Sequence, residues 1–153
     1  NNSLFAELGM DYTEAALQTS LNGEPGYEYL ENAKNYGRMC EAPNFKDIKA
    51  KGGNPCLEQT LESYELCCLV ETFPINHNSL EEYLETLKYA YLYAKTVTLV
   101  PTHNEDTNEV MLRNRRIGLS QSGIVQYIEK YGIHKYKELC ETGYSTIQHY
   151  DNI

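Results

Sequence analysis

The sequence predicts an α/β fold, and three observations support that class. Residues 65–73 form a short apolar run that ends at Pro74, which is typical of a buried strand. The residues after Ser79 carry apolar side chains at helical spacing, and residues 116–120 again have the character of a short buried strand. Strand, long helix, strand and helix is the order of an α/β protein with right-handed crossovers.

The first half of the chain is predicted to hold short elements joined by turns. Residues 12–20 have weak helical character, and residues 21–26 are a strong turn signal because Gly and Pro recur there. Residues 27–38 are predicted to form a short helix or an ordered loop. Residues 41–54 are polar and are predicted to form a long loop, and loops of this kind often carry function on a rigid scaffold.

The predicted strand 65–73 contains two adjacent cysteines that must point in opposite directions. Alternate residues of a strand face opposite sides, so only one of Cys67 and Cys68 can face the same cavity as Cys56. The face that carries Cys67 also carries three further side chains: Leu69, Glu71 and Phe73.

The clearest helix is predicted over residues 80–98. Asn78 and Ser79 are candidate N-caps, and two glutamates follow in the first turn, near the positive end of the helix dipole. The polar stretch 103–108 is predicted to end this helix or to introduce a bend and a loop. After the second strand, a helix is predicted over 124–131 and is closed by a glycine.

Length, charge and cysteine content limit the kinds of protein the chain can be. With 153 residues there is room for one compact unit with a real core. A net charge of -9, from 22 acidic and 13 basic residues, argues against nonspecific binding to nucleic acid or an anionic membrane, which needs clustered cations. The sequence has neither a membrane-length apolar run nor a signal peptide. Five cysteines, an odd number, suit a reducing compartment, so we expect a soluble, cytoplasmic protein.

The chain begins at Asn1 without an initiator Met and stops at Ile153. We expect from this an excised, processed or split piece of a larger protein.

The strongest functional signal is the segment Asn54-Pro55-Cys56-Leu57-Glu58, with Cys67 eleven residues after Cys56. It brings together a reactive sulfur, a carboxylate base, an orienting amide and a second thiol as a source of electrons. An Asp in place of Asn54 would put a second negative charge beside Glu58. Taken alone, such a segment is more often an ordinary loop, and Cys67 alone is more often a small core residue.

The remaining chemical groups favour structural roles. Cys40, Cys68 and Cys140 are predicted to be structural, and no metal site is expected, since His77 and the cysteines lack the spacing of a zinc site. Four tyrosines of the long helix could suggest a radical relay, but packing is favoured: Tyr83, Tyr89, Tyr91 and Tyr93. Three arginines could bind phosphate, but a solvated face or salt bridges to nearby acidic residues are favoured: Arg113, Arg115 and Arg116.

Six blocks of sequence, in order along the chain, carry a family resemblance. They lie at residues 1–3, 22–26, 36–38, 54–56 with 58–59, 65–67 with 70–74, and 115–124. The match runs over residues 1 to about 130. On these blocks the chain resembles an internal segment of the catalytic subunit of ribonucleotide reductase, and most closely the monomeric, adenosylcobalamin-dependent (class II) ribonucleoside-triphosphate reductases.

The resemblance implies a fold and a domain organisation. Residues 1–153 would be a single segment of a ten-stranded α/β barrel. A finger loop at about 50–62 would carry the catalytic cysteine, with one strand at about 65–73 and a second at about 116–120.

The resemblance also implies roles for individual residues. A thiyl radical on Cys56 would abstract the 3′ hydrogen of the ribose, Glu58 would be the base at the 3′ hydroxyl, and Asn54 would orient the reacting groups. Cys67 would be half of the dithiol that reduces the substrate, and its partner thiol is absent from this chain. The substrate could contact the segment at residues 1–3, that is Asn1, Asn2 and Ser3.

The implied reaction is the reduction of ribonucleotides to deoxyribonucleotides. Adenosylcobalamin, with its cobalt, would be held mainly by parts outside this chain. The implied partners are a ribonucleoside triphosphate substrate, a deoxynucleotide effector, the remaining segments of the reductase and a thioredoxin-type reductant. The alternative is a non-catalytic binding or assembly module derived from such an enzyme. One position departs from the family pattern, because Leu57 stands where a Gly usually follows the cysteine.

Overall fold

The computed structural model describes residues 3–37 and 41–153, and the chain divides into two compact units. The first unit is Asn1–Cys67 and the second is Cys68–Ile153. In the described part of the chain, the strands form three separate two-stranded sheets. The α/β class is therefore confirmed, while the ten-stranded barrel stays a prediction.

The first unit begins with a strand–helix–strand arrangement. Strand β1 (Ser3–Phe5) pairs in parallel with β2 (Gly26–Glu28), and helix α1 (Thr13–Asn22) lies between them in the chain. The helix ends at Gly23, which adopts φ 80° and donates its N–H to the carbonyl of Thr19. Glycine reaches this left-handed conformation without steric cost, so residue 23 stops the helix and turns the chain toward β2.

A short helix and a hairpin complete the first unit. Helix α2 (Leu30–Asn35) follows β2 directly. Strands β3 (Gly52–Gly53) and β4 (Thr60–Leu61) then form an antiparallel hairpin within the segment predicted as the finger loop. Lys51 donates its backbone N–H to the carbonyl of Leu61 at 2.8 Å, which closes the base of this hairpin.

The second unit is built on two parallel strands. Strand β5 (Leu69–Thr72) pairs with β6 (Gly118–Gln121) in the register Leu69↔Gly118 to Thr72↔Gln121. The strand predicted over 65–73 thus occupies only 69–72, and the strand predicted over 116–120 begins and ends slightly later. Within β5, Leu69 and Glu71 are exposed while Thr72 is buried, as expected from period-two alternation.

Four α-helices follow in the second unit. They are α3 (Leu80–Val97), α4 (Glu105–Asn114), α5 (Ile124–Tyr131) and α6 (Ile133–Asp151), and α3 packs against both strands. The predicted N-cap is confirmed, because the Ser79 hydroxyl accepts the backbone N–H of Glu82. Helices α3 and α5 lie within a residue of their predicted bounds. Helix α6 was not predicted, and α4 replaces part of the loop predicted over 103–108.

The core of the second unit joins α3 to α6. Tyr83, Leu87 and Leu139 form its buried cluster, and Tyr83 is fully buried. Gly143 of α6 allows the two helices to approach closely, since a Cβ there would lie 3.0 Å from Cδ1 of Leu87. Packing is confirmed as the role of Tyr83, whose side chain no longer has solvent access.

Arg113 and Arg115 bind groups of the second unit. Arg113 forms an ion pair with Glu109 at 3.9 Å, as one prediction proposed. Arg115 donates from Nη2 to the carbonyl of Lys95 at 2.8 Å and from Nε to the Thr98 hydroxyl. Its guanidinium therefore satisfies acceptors at the end of α3. No helix in the described ranges has the length and apolar character needed to cross a membrane.

Candidate active site

The cysteine motif forms the tip of the β3–β4 hairpin. The carbonyl of Asn54 accepts the N–H of Leu57 at 2.9 Å, which makes residues 54–57 a hydrogen-bonded turn. Pro55 stands at the second position, where its fixed φ suits such a turn. The backbone N–H of Asn54 also donates to the carbonyl of Gln59 at 3.0 Å, so the chain returns on itself at Gln59.

Asn54 is the buried centre of the tip. Its side chain is only 3% exposed, and its Nδ2 donates to Oε1 of Glu58 at 2.5 Å. Its Oδ1 accepts the backbone N–H of Gln59 at 3.2 Å. The amide therefore uses a donor and the acceptor at once, and it fixes the Glu58 carboxylate relative to the turn. An ionised Asp could accept the second bond but could not donate the first.

Cys56 and Glu58 stand on the exposed part of the tip. Both side chains are accessible, and Cys56 is a free thiol. The structure therefore brings Asn54, Cys56 and Glu58 together at the hairpin tip. The thiol is exposed, and the buried amide of Asn54 holds the Glu58 carboxylate. Such a tip can present a sulfur and a base to neighbouring atoms of the same small substrate.

Leu57 has a backbone conformation that favours glycine. Its φ is 61°, in the left-handed region, which disfavours residues with a Cβ. Its half-buried side chain places Cδ2 3.1 Å from the point that a Cβ on Gly53 would occupy. The bulkier residue therefore fits the tip without loss of the turn.

Cys67 lies at the end of the first unit and is an exposed, free thiol. The turn before it is held by Glu65, whose Oε2 accepts the N–H of Glu62 at 2.8 Å. Cys68 and Cys140 are half-buried, whereas Cys40 lies outside the described residues. Cys56 and Cys67 are thus the two most accessible of the described cysteines.

The three residues predicted to contact substrate are only partly described. Ser3 begins β1 and is exposed, while Asn1 and Asn2 lie outside the described residues. Substrate contact by this segment stays a prediction.

Two buried polar residues near the tip were missed by the sequence analysis. Gln59 is 3% exposed, and neither its Nε2 nor its Oε1 has a hydrogen-bond partner among the described residues. Glu28 on β2 is buried, and burial raises the pKa of its carboxyl. Its Oε1 lies 3.4 Å from the position of a Cβ on Gly53. The Gly52-Gly53 pair indicates that another group packs closely against this backbone, but the sequence does not show that the group is Glu28.

In residues 3–37 and 41–153, no group of three or more His, Cys, Asp or Glu side chains could hold a metal ion.

Comparison with known proteins connects this hairpin to an enzyme family. No protein-family model matches the chain. The chain is 60% identical over 152 residues to a probable adenosylcobalamin-dependent ribonucleoside-triphosphate reductase of Dictyostelium discoideum, covering 99% of the chain and 20% of that protein. It is 54% identical over 151 residues to the corresponding reductase of Euglena gracilis, covering 99% of the chain and 21% of that protein.

A solved structure has the same fold over most of the chain. The crystal structure of a B12-dependent (class II) ribonucleotide reductase superposes with a TM-score of 0.73 at 36% sequence identity. The match covers 86% of this chain and 19% of that one. The chain thus spans about a fifth of the length of the curated relatives it matches. It corresponds, over nearly its whole length, to one segment of the adenosylcobalamin-dependent class II ribonucleotide reductases.

Proposed function

We propose that the chain supplies the catalytic hairpin of a ribonucleotide reductase that converts ribonucleoside triphosphates to deoxyribonucleotides by thiyl-radical chemistry. The observation that carries this proposal is the hydrogen bond from Asn54 to Glu58 beside the exposed thiol of Cys56. The names of the relatives support the same reaction class. The rest of a ten-stranded barrel would surround the hairpin.

Cys56 would begin and end the reaction at the 3′ carbon of the ribose. Its thiyl radical takes the 3′ hydrogen atom, which leaves a carbon radical on the substrate and restores the S–H bond. Adenosylcobalamin, held mainly by parts outside this chain, would supply the initiating radical by homolysis of its cobalt–carbon bond. The exposed position of Cys56 at a turn fits this role, because both the initiating group and the substrate must reach the sulfur.

Glu58 would accept the proton of the 3′ hydroxyl, and Asn54 would hold the carboxylate in place to do so. The amide donor leaves the second carboxylate oxygen available, so the base is oriented without being fully occupied. General-base catalysis of this kind contributes roughly 10²- to 10⁴-fold. Since the thiol and the carboxylate lie two residues apart on one turn, both can reach the 3′ position of one sugar.

Cys67 would supply reducing equivalents together with a partner thiol from outside this chain. The two S–H groups give two electrons and two protons, the 2′ hydroxyl leaves as water, and a disulfide forms. A thioredoxin-type reductant would then restore the dithiol for the next turnover. A deoxynucleotide effector would select the substrate. The segment Asn1–Ser3 would contact the substrate.

The test is to replace the corresponding segment of the Euglena gracilis reductase with this chain. Deoxynucleotide formation is measured with adenosylcobalamin, a ribonucleoside triphosphate and a dithiol. We expect product from the exchanged enzyme, none from its Cys56→Ala variant, and near-parental product from Cys140→Ala, a half-buried cysteine of the second unit. Equal product with and without the Cys56 sulfur would refute its assignment.

Cys67→Ser sharpens the same test. This variant should stop reduction of the substrate, because one of the two thiols that supply the electrons is missing, while exchange of the substrate 3′ hydrogen at Cys56 continues. Loss of both activities together would point to misfolding instead, which circular dichroism of the variant would detect.

A further inference from the structure

The turn that carries Cys56 holds a leucine, Leu57, in a backbone conformation that disfavours residues with a Cβ. Leu57 has φ 61°, a conformation in which the Cβ of an L-residue crowds the following carbonyl. This conformation turns the chain from Cys56 back toward Gln59, whose carbonyl and N–H both bond to Asn54. The geometry that presents Cys56 and orients Glu58 therefore depends on a residue that disfavours it.

The side chain of Leu57 occupies the space beside Gly53, the last residue of β3. Its Cδ2 lies 3.1 Å from the point where a Cβ on Gly53 would stand, and the same point is 3.2 Å from the Gln59 carbonyl oxygen. Gly53 can have no side chain without displacing one of these atoms. The absence of a Cβ at residue 53 thus provides the space that Leu57 fills, and Leu57 is half-buried while its neighbours Cys56 and Glu58 are exposed.

We propose that Leu57 is a positioning residue, whose contact with Gly53 holds the strained turn and thereby fixes the Cys56 sulfur relative to the Glu58 carboxylate. This inference rests on the proposed function, since it assigns Leu57 a role in the same site. A hairpin with the strain but without the contact should open more often and hold Cys56 in a range of positions. Misplacement of reacting groups by about 1 Å can cost up to roughly 10²-fold in rate.

Three variants of Leu57 separate the contact from the strain. Leu57→Ala keeps the strain and removes the contact, Leu57→Gly removes both, and Leu57→Met keeps the strain while still reaching Gly53. The proposal therefore predicts an order of activity that does not follow side-chain size: Leu and Met highest, Gly next and Ala lowest. If activity depended only on side-chain volume, the Gly variant would be less active than the Ala variant. If it depended only on backbone strain, the Gly variant would be more active than the parent.

Phe45 provides the matched control. It also has positive φ, at 55°, but it is 57% exposed and lies outside the hairpin. Phe45→Ala and Phe45→Gly repeat the same backbone changes away from the site and should leave kcat unchanged.

The experiment uses the exchanged Euglena gracilis enzyme and two independent readouts. One is kcat and KM for the ribonucleoside triphosphate. The other is the rate at which iodoacetamide alkylates Cys56, measured by mass spectrometry with Cys67 as the internal reference. We expect Leu57→Ala to lower kcat about tenfold with little change in KM, and to change Cys56 alkylation relative to Cys67. Leu57→Met should restore both values.

The outcomes distinguish this inference from the proposed function. If the exchanged enzyme makes no deoxynucleotide, the proposed function fails, and the alkylation rates still report whether Leu57 positions Cys56. If the enzyme is active and Leu57→Ala matches the parent in kcat and in alkylation, the positioning role is refuted while the function stands. An activity order that follows side-chain size would also overturn it.

Discussion

The side-chain amides of Asn54, at the hairpin tip, and Gln121, in the second unit, can form the same kinds of hydrogen bond. Their partners, however, lie at very different separations along the chain. Asn54 binds Glu58 and Gln59, four and five residues away. Gln121 donates to the Tyr83 hydroxyl across 38 residues and accepts from Tyr136. One site is thus assembled by a single turn, whereas the other exists only after the helices have packed.

The two groups of hydrogen bonds should serve different purposes, catalysis at the tip and stability in the second unit. At the tip, the hydrogen bond from the Asn54 amide orients the exposed carboxylate of Glu58 next to the exposed thiol of Cys56. In the second unit, a chain of bonds runs from Gln121 through Tyr83 to Thr72, which donates to the carbonyl of Ser120 at 2.7 Å. Its members join the ends of β5 and β6 to α3, where their burial raises the cost of breaking any one bond. Changes at the tip should alter rate, and changes in the second network should alter stability.

Asn54→Asp should have the largest effect. The substitution removes the Nδ2 donor and adds a negative charge beside Glu58, so we expect kcat to fall on the order of 10²-fold. The matched control is Asn44→Asp, because among the described residues the Asn44 side chain uses only its Oδ1, as an acceptor from the N–H of Lys46, and an Asp keeps that bond. Steady-state kinetics of the exchanged enzyme measure both. Equal loss in the two variants would mean that the donor at position 54 has no special role.

Tyr83→Phe should affect stability rather than rate. Loss of the hydroxyl leaves Nε2 of Gln121 without its acceptor, which costs about 1–3 kcal/mol. Tyr93→Phe, at an exposed tyrosine of the same helix, should cost less than about 0.5 kcal/mol. Native-state hydrogen exchange of β5 and β6 in the full-length enzyme gives both values. If Tyr83→Phe lowered kcat without faster hydrogen exchange, the assignment of this network to stability would be wrong.

Glu28→Gln should have a smaller effect that depends on pH. Burial raises the pKa of this carboxyl above its ordinary value of 4.5, so the folded chain binds more protons than the unfolded chain in the interval between the two pKa values. Stability is therefore lost as the pH rises through that interval, and the loss persists at neutral pH. Gln cannot ionise, so the variant should be more stable than the parent at neutral pH.

The measurement is hydrogen exchange of β2 and of the β3–β4 hairpin at several pH values, corrected for intrinsic rates. The gain from Glu28→Gln should disappear well below pH 4.5, where the parent carboxyl is protonated in both states. A gain of the same size at every pH would show that ionisation of Glu28 is not its cause.

The same contrast explains which features could be predicted from the sequence. The N-cap at Ser79 and the end of α5 at Gly132 are set by neighbouring residues, and both were predicted correctly. The grouping of Asn54, Cys56 and Glu58 depends on one turn, so their spacing was enough to bring them together. Helix α4 was missed because its sequence is polar, although Asn104 and the two acidic residues after it form an N-terminal signal.

Features that depend on distant contacts could not be predicted. The bonds of Tyr83 to Thr72 and Gln121 cross from helix to strands, and no local pattern indicates them. The burial of Glu28 and Gln59 likewise follows from packing around the hairpin and not from their own spacing. The left-handed φ of Leu57 was hidden for another reason, since a leucine gives no sequence signal for that conformation.

The most direct test of the proposed role of Cys56 is the rate of deoxynucleotide formation from a 3′-deuterated ribonucleoside triphosphate in the exchanged enzyme. If the Cys56 sulfur takes the 3′ hydrogen, kcat/KM should be lower for the deuterated substrate than for the unlabelled one, and Cys56→Ala should form no product from either. Product formation by Cys56→Ala with the same isotope effect would contradict the assignment of this chain's hairpin as the site of hydrogen abstraction.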